Sequence, residues 1–382
     1  MEFEFTEEQQ AIKAMAADFA AERIAPFAAA WDRDCTFPVD VLRHAAALGF
    51  ATMFVSEAHG GSGLTRLDGA IVFEELSRAC PSTAAYISIH NMVAGMIERF
   101  GTPAQHEAHL PALATMERLS AYCLTEPNAG SDAASLTTRA RRDGDDYVID
   151  GAKAFISGGG RADLYVVMTR TGGAGAGGVT ALLVEAGTKG LSFGAQEEKM
   201  GWHSQPTAAV MFDECRVPAE NRLGEEGDGF KIAMTGLDGG RINIGACSLG
   251  AGAAALDHAL HYAGGRQQFG RPIADFQATQ FKLADMRTEL EAARLLLHKA
   301  ASAVERRTPD ATPLAAMAKR LATDTGFAVV NTALQIHGGY GYLRDYPLER
   351  LLRDVRVHQI LEGTNEIMRV IIARHLLRAS SQ

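Results

Sequence analysis

Glu362 stands between the apolar pair Ile360 and Leu361 and the turn Gly363, Thr364, Asn365, in a string that runs from His358 to Arg369. A carboxylate with apolar neighbours on its N-terminal side is a poor ion-pair residue and a candidate base. Burial raises its pKa, while a nearby helix N-terminus favours the charged form and limits the rise. That balance suits a general base near neutral pH. An acid that merely complements a helix dipole occupies the same position, and the string alone leaves both readings open.

A second candidate is the stretch Tyr122 to Asp132, where a short β run enters a Pro-Asn-Ala-Gly loop ending in Ser131 and Asp132. Glycine admits a close backbone approach, and turn amides with a hydroxyl suit an anion such as pyrophosphate; an ordinary surface turn has the same composition. The run from Gly173 to Gly178 contains a literal G-x-G-x-x-G, but a strand follows it where a dinucleotide site needs a helix, so it reads as a hairpin loop. There is no P-loop, no H-E-x-x-H and no G-x-S-x-G. The five cysteines form no C-x-x-C pair, so neither a metal site nor a disulfide framework is expected.

These segments need elements to position them. Residues 1–120 read as an α-helical domain: Thr6 with Gln9 forms a capping box, Ile12, Met15 and Phe19 fall on one face, and Pro38 begins a second helix ending at Gly49. Residues 121–225 read as a β-barrel or sandwich, with short apolar runs at 147–149, 164–168, 180–184 and 209–212 between turn clusters. Residues 226–382 return to helical period. Leu283, Met286, Leu290, Ala293 and Leu297 mark a bundle helix, and Pro309 and Pro313 bracket a turn before the next. The fold class is α+β, in the order α, β, α.

With 382 residues, 47% of them hydrophobic, a net charge of −9 and a mean hydropathy of −0.04, the chain has ample core and no basic face for nucleic acid. No apolar run is long enough to span a membrane. The acidic start lacks leader and transit-peptide patterns, and with the Ala/Gly/Arg-rich composition this suggests a bacterial cytoplasmic protein.

Five separated strings resemble the acyl-CoA dehydrogenases, flavoenzymes that oxidise acyl thioesters: Tyr122 to Asp132, Phe155 to Gly159, Arg266 to Gly270, Gln335 to Tyr342 and Leu361 to Glu366. The resemblance spans the whole chain. It implies an α-helical domain, a middle β domain and a C-terminal four-helix bundle, with FAD as cofactor and Glu362 as the base that takes the α proton. The thioester oxygen would be held by the Glu362 amide and a ribityl hydroxyl, an oxyanion-hole arrangement.

The resemblance assigns Tyr122, Leu124, Thr125, Gly130, Ser131, Phe155, Ile156 and Ser157 to the flavin, with Thr125 near N5 and Phe155 on the ring. Arg266, Phe269, Phe276, Gln277 and a loop of Gln335, Ile336, His337, Gly338 and Gly339 would reach the adenosine end from a neighbouring subunit. Thr364, Asn365 and Glu366 would complete that site. Ser131, Asp238, Gly239, Gly240, Arg241 and Arg374 would hold the CoA thioester. A homotetramer, as a dimer of dimers, and electron-transfer flavoprotein as acceptor are implied as well.

The strings from Ser82 to Asn91, Gly201 to Thr207, Gly239 to Ile244 and Val355 to Glu362 are most similar to family members acting on isobutyryl-CoA. Leu361 stands where the commoner family pattern has Tyr, which is compatible with a short branched acyl group. Activity on 2-methylbutyryl-CoA or butyryl-CoA, flavin oxidase or monooxygenase chemistry, and a non-catalytic helical scaffold remain the alternatives.

Overall fold

The computed structural model describes residues 4–379. The N-terminal part comprises α1 (Glu7–Phe19), α2 (Ala28–Asp34), α3 (Val39–Ala47), α4 (Arg66–Ala79), α5 (Pro81–Phe100) and α6 (Pro103–Ala114). Thr6 caps α1 as expected: its hydroxyl accepts from the Gln9 amide at 3.2 Å, and the Gln9 side chain accepts from the Thr6 amide. The buried face of α1 differs from the expected stripe. Ala16 and Phe19 are buried, Ile12 is half-buried and Met15 is exposed. Pro38 precedes the third helix, not the second, because a π turn (Ala20–Ile24) and the short α2 intervene.

The middle part is a single sheet built from β1 (Ser120–Cys123), β2 (Arg139–Asp143), β3 (Asp146–Ser157), β4 (Leu164–Arg170), β5 (Val179–Glu185), β6 (Leu191–Gln196), β7 (Thr207–Pro218) and β8 (Arg222–Leu223). Its order is β6-β7-β3-β2-β4-β5-β8, with β1 added parallel to β4. Side chains alternate across a strand, and β4 shows the consequence. Leu164, Val166 and Met168 pack with residues of α5 and α6 and with Ile232 and Ala233, whereas Tyr165 and Val167 fill the interior of the folded sheet. The Gly173–Gly178 run is the β4–β5 hairpin connection. The polar β2 and the β6 edge carry too few apolar residues to stand out in the sequence.

The C-terminal part is a bundle of α7 (Gly229–Gly265), α8 (Gln277–Glu305), α9 (Ala311–His337) and α11 (Asn365–Ala379), with α10 (Leu348–Arg356) packed chiefly against α9. A two-residue hairpin, β9 (Gln267–Gln268) with β10 (Arg271–Pro272), links α7 to α8. Pro313 lies inside the first turn of α9, where a missing N–H breaks no helical bond. Small residues let α7 approach its neighbours. A Cβ on Gly252 would come within 2.9 Å of Leu290, and one on Gly326 of α9 within 2.5 Å of the Ser248 carbonyl. Among the described residues no helix is long and apolar enough to cross a membrane.

Candidate active site

The loop after β1 is fixed by a buried ion pair. Lys153 of β3 donates to a Glu126 carboxylate oxygen at 2.8 Å and to the Leu124 carbonyl at 3.1 Å, and neither charged side chain is more than 4% exposed. Glu126 also accepts from the Thr137 and Thr138 amides and the Thr137 hydroxyl. Despite burial, Lys153 and these donors hold its carboxyl down to about 2, so the carboxylate stays ionised at neutral pH, while burial pushes the Lys153 ammonium down and Glu126 pulls it back up. The Ala154 amide donates to the Thr125 carbonyl at 2.8 Å. The loop bearing Thr125, Gly130 and Ser131 is thereby tied to the strand end bearing Phe155, Ile156 and Ser157.

That strand end is bent. The β3–β7 register shifts between Lys153 and Ile156, and Phe155 takes a left-handed φ of 58°. The bulge turns the ring outward, leaving Phe155 67% exposed in the wall of a cavity of about 730 Å³.

Glu362 lines the same cavity. Helix α10 ends in a 3-10 turn (Val357–Gln359), and Glu362 and Gly363 then take left-handed φ values of 56° and 89°. Glu362 makes this turn with a side chain that disfavours it, a strain of about 1–3 kcal/mol that the surroundings must offset. Arg241 of α7 donates to the Glu362 carbonyl at 3.2 Å and to Asp238 at 2.7 Å. Lys319 of α9, fully buried, donates to the Gly363 carbonyl and to Asn365, both at 2.9 Å. Thr364 caps α11 by accepting from the Ile367 amide.

The Glu362 carboxylate lies against Gly240, and its Oε2 is buried without a partner among the described residues. Burial pushes its carboxyl up to about 7, while Arg241 and then Lys319 pull it back. Two cations from distant helices thus supply the moderation that the sequence had assigned to a helix N-terminus. The Glu362 amide makes no hydrogen bond among the described residues. The Tyr122 hydroxyl lines the same cavity and is buried without a partner among the described residues, and burial keeps the phenol protonated.

The cavity is lined by Tyr122, Leu124, Thr125, Gly130, Ser131, Phe155, Ile156, Ser157, Arg241, Glu362 and Arg374 among the residues singled out in the sequence. Ile89, Met92, Trp202, Phe230, Met234 and Leu237 supply apolar wall that the sequence reading had not assigned.

Asp238, Gly239 and Gly240 do not line it. Asp238 is engaged by Arg241 and by the Thr312 hydroxyl, Gly239 backs onto the Arg66 guanidinium, and Gly240 lies beneath the Glu362 carboxylate. Asn365 is buried, bonding Lys319, Thr323 and Asp324, and Glu366 is exposed.

A separate surface gathers Arg266, Phe269, Phe276 and Gln277. Phe269 is 93% exposed and meets Phe276 edge-on, and the Arg266 guanidinium lies 5.4 Å from the Tyr340 ring. Gln335, Ile336 and His337 end α9 and are not loop, as had been expected; Gly338 and Gly339 begin the following 3-10 turn. His337 is held internally, bonded to the Ala333 carbonyl and stacked on Tyr262 at 4.2 Å.

Three family descriptions match in succession: "Acyl-CoA dehydrogenase, N-terminal domain" over residues 6–117, "middle domain" over 121–215 and "C-terminal domain" over 227–377. The chain belongs to the acyl-CoA dehydrogenase family. It is 54% identical over 373 residues to the mitochondrial isobutyryl-CoA dehydrogenase of Bos taurus, covering 98% of this chain and 90% of that one. Its structure is similar to butyryl-CoA dehydrogenase from Megasphaera elsdenii, with TM-score 0.96 and 42% identity over 99% of this chain and 100% of that one. A chain in a structure described as "Electron transferring flavoprotein of Acidaminococcus fermentans: Towards a mechanism of flavin-based electron bifurcation" matches equally well, with TM-score 0.96 and 43% identity over 99% of this chain and 100% of that chain. This acyl-CoA dehydrogenase is thus close to the isobutyryl-CoA enzymes in sequence.

Proposed function

We propose that this acyl-CoA dehydrogenase converts isobutyryl-CoA to methacrylyl-CoA, a step of valine degradation, using FAD and passing the electrons to an electron-transfer flavoprotein. The observation that carries the reading is Glu362. Among the described residues its Oε2 and its amide have no partner, and it lines one cavity together with Phe155 and Thr125. The identity to the bovine isobutyryl-CoA dehydrogenase and the residue Leu361 in the cavity wall support the branched short-chain substrate.

The residues fit a flavin. Phe155 offers an exposed ring, the Tyr122 hydroxyl lacks a partner among the described residues, and a Cβ on Gly130 would meet nothing within 4 Å, so the loop backbone is open to close approach. A bound flavin would supply hydride acceptance, which no side chain can. Glu362 takes the proton from the carbon next to the thioester carbonyl. Its amide donates to the thioester oxygen, where charge develops as that proton leaves. Arg241 and Lys319 hold the turn so that carboxylate and amide come from one fixed residue. Ser131 and Arg374, at the cavity rim, bind the CoA moiety.

We place Arg266, Phe269, Phe276, Gln277 and the end of α9 at the adenosine end of a neighbouring subunit's FAD, in a dimer of dimers. The exposure of Arg266, Phe269, Gln277, Gln335, Gly338 and Gly339 in the single chain supports this assignment, whereas His337 is buried. A cytoplasmic bacterial setting rests on composition, whereas the bovine relative is described as mitochondrial.

Anaerobic titration with isobutyryl-, 2-methylbutyryl- and butyryl-CoA, followed by flavin absorbance, tests the reading. Isobutyryl-CoA should bleach the flavin fastest. A clear preference for butyryl-CoA would overturn the substrate, rapid reaction of the reduced enzyme with oxygen would favour an oxidase, and a colourless protein would favour a scaffold.

A further inference from the structure

A second cavity, of about 510 Å³, has a size that small ligands occupy, and it shares only Met92 with the lining of the Glu362 cavity. Its lining brings together three guanidinium groups from three elements: Arg66 at the start of α4, Arg99 near the end of α5 and Arg307 just past α8. Among the described residues none of these guanidinium groups makes a hydrogen bond or an ion pair. The two carboxylates in the same lining are turned to other groups. Glu98 meets the His59 ring at 2.6 Å, and Glu305 accepts from the backbone amide of Arg66 at 2.9 Å.

Arg66 is nevertheless held in place. Its guanidinium carbon lies 3.9 Å from the centre of the Phe54 ring, and a Cβ on Gly239 would come within 2.5 Å of its Nη1. Packing against an aromatic ring and bare helix backbone orients the fork without giving its N–H groups an acceptor. Burial pulls Arg66 down to about 10, Glu305 offsets part of this, and Arg99 adds to it. Arg99 is itself lowered by burial and then by Arg307. Cations drawn together without a counter-charge cost stability, and a bound anion removes that cost. Asn243, 1% exposed, belongs to the same lining. Its Nδ2 donates to the Ser88 hydroxyl at 3.0 Å, while its Oδ1 is buried without a partner among the described residues. The cavity thus combines donors for an oxyanion with a buried acceptor that a ligand hydroxyl can satisfy.

We propose that this cavity binds a small phosphate-class dianion, with Arg66 as its oriented anchor, Arg99 and Arg307 adding charge, and Asn243 accepting from a hydroxyl of the ligand. The guanidinium fork matches phosphate oxygens, and three cations favour a dianion over a monocarboxylate. Hydrogen phosphate and a hydroxyl-bearing phosphate ester present the same chemistry. The site is separate from the proton abstraction at Glu362 and does not depend on the acyl-CoA chosen.

The test titrates inorganic phosphate, and in a second arm glycerol 3-phosphate, into the FAD-loaded enzyme at constant ionic strength in chloride buffer, by calorimetry and by melting temperature. Wild type should bind one equivalent and melt higher as the site fills. Arg66→Met should weaken binding at least about tenfold, the scale of a lost charge-assisted pair. It should also melt no lower than wild type without phosphate, since it removes a cation that lacks a partner, and its melting temperature should no longer respond to phosphate. Tighter binding of glycerol 3-phosphate would assign the ester, and equal binding the free ion. Binding should persist when the enzyme is saturated with a CoA ligand. Competition with that ligand would place the phosphate in the CoA site and overturn the proposal, as would the absence of saturable binding to wild type or an unchanged affinity in Arg66→Met. If Arg66→Met does not retain flavin, the exposed pair Arg99→Gln/Arg307→Gln carries the same affinity test, and an unchanged affinity there is equally decisive against the site.

Discussion

A methyl group on Gly240 would lie 2.6 Å from Oε2 of Glu362 and 2.8 Å from its carboxyl carbon. The carboxylate rests on bare helix backbone, and no other residue type leaves it that room. Gly240→Ala must therefore push the carboxylate away while favouring α7 by about 1 kcal/mol, since alanine suits a helix interior better than glycine. We expect an enzyme that melts no lower than wild type and retains FAD, with flavin reduction slowed about 100-fold, the scale of a 1 Å misplacement of a reacting group. Stopped-flow reduction beside a melting curve checks this. Wild-type reduction rates in Gly240→Ala would mean that the carboxylate does not need this seat.

Glu362 sits in the half-protonated range at neutral pH, because burial lifts its carboxyl to about 7. Only the ionised form can accept a proton. Flavin reduction in the free-enzyme regime should thus rise with pH through about 7 and fall about tenfold for each unit below it. Glu362→Gln should bind FAD and CoA ligands but fail to bleach the flavin at any pH. Bleaching of that variant near the wild-type rate would assign the base elsewhere.

The buried Glu126–Lys153 pair predicts a different pH dependence, that of stability. The folded Glu126 carboxyl is held at about 2, below its ordinary value near 4.5. Folding is favoured by the ionised form, and this contribution is complete above about 4.5 and lost as pH falls toward 2. Lys153→Met should cost about 3–5 kcal/mol, because it leaves a carboxylate buried and unpaired. Since the pair ties the Thr125 loop to the Phe155 strand end, FAD retention should fall along with melting temperature. The double change Lys153→Met/Glu126→Gln should recover part of the stability. A Lys153→Met protein as stable as wild type would show that the pair does not organise this loop.

Sequence pattern makes some of this architecture visible and hides the rest for physical reasons. The α, β, α order is legible because period-3.6 and short apolar strand patterns change sharply near residues 120 and 226. Glu362 stands out because an acid between apolar residues and a helix-starting turn is a local pattern. Lys153 is a cation inside an apolar strand, and Lys319 lies on the same α9 stripe as Ala315 and Ala322. Each is a signal that could have been read as a buried, partnered charge. Their partners are remote in sequence, so no local pattern names them. Gly240 and Asp238 show the converse. Their polar and glycine character suggested ligand contact, but the bundle uses them to seat Glu362 and to hold Arg241.

Lys319 offers a test in which positioning and electrostatics can be told apart. Its ammonium, pulled down to about 8 by burial, bonds the Gly363 carbonyl and Asn365 and lowers the Glu362 carboxyl toward ionisation. Lys319→Met removes a cation that favours the ionised glutamate, so the pKa of Glu362 must rise. The pH profile of flavin reduction should move upward, with the largest rate loss below neutral pH and recovery at alkaline pH. Loosening of the turn adds a loss that is independent of pH, because Gly363 and Asn365 lose their common donor. Lys319→Arg keeps the charge and should leave the midpoint of the profile closer to wild type. A Lys319→Met profile with its midpoint unmoved and only its plateau lowered would show that the lysine acts on the turn alone.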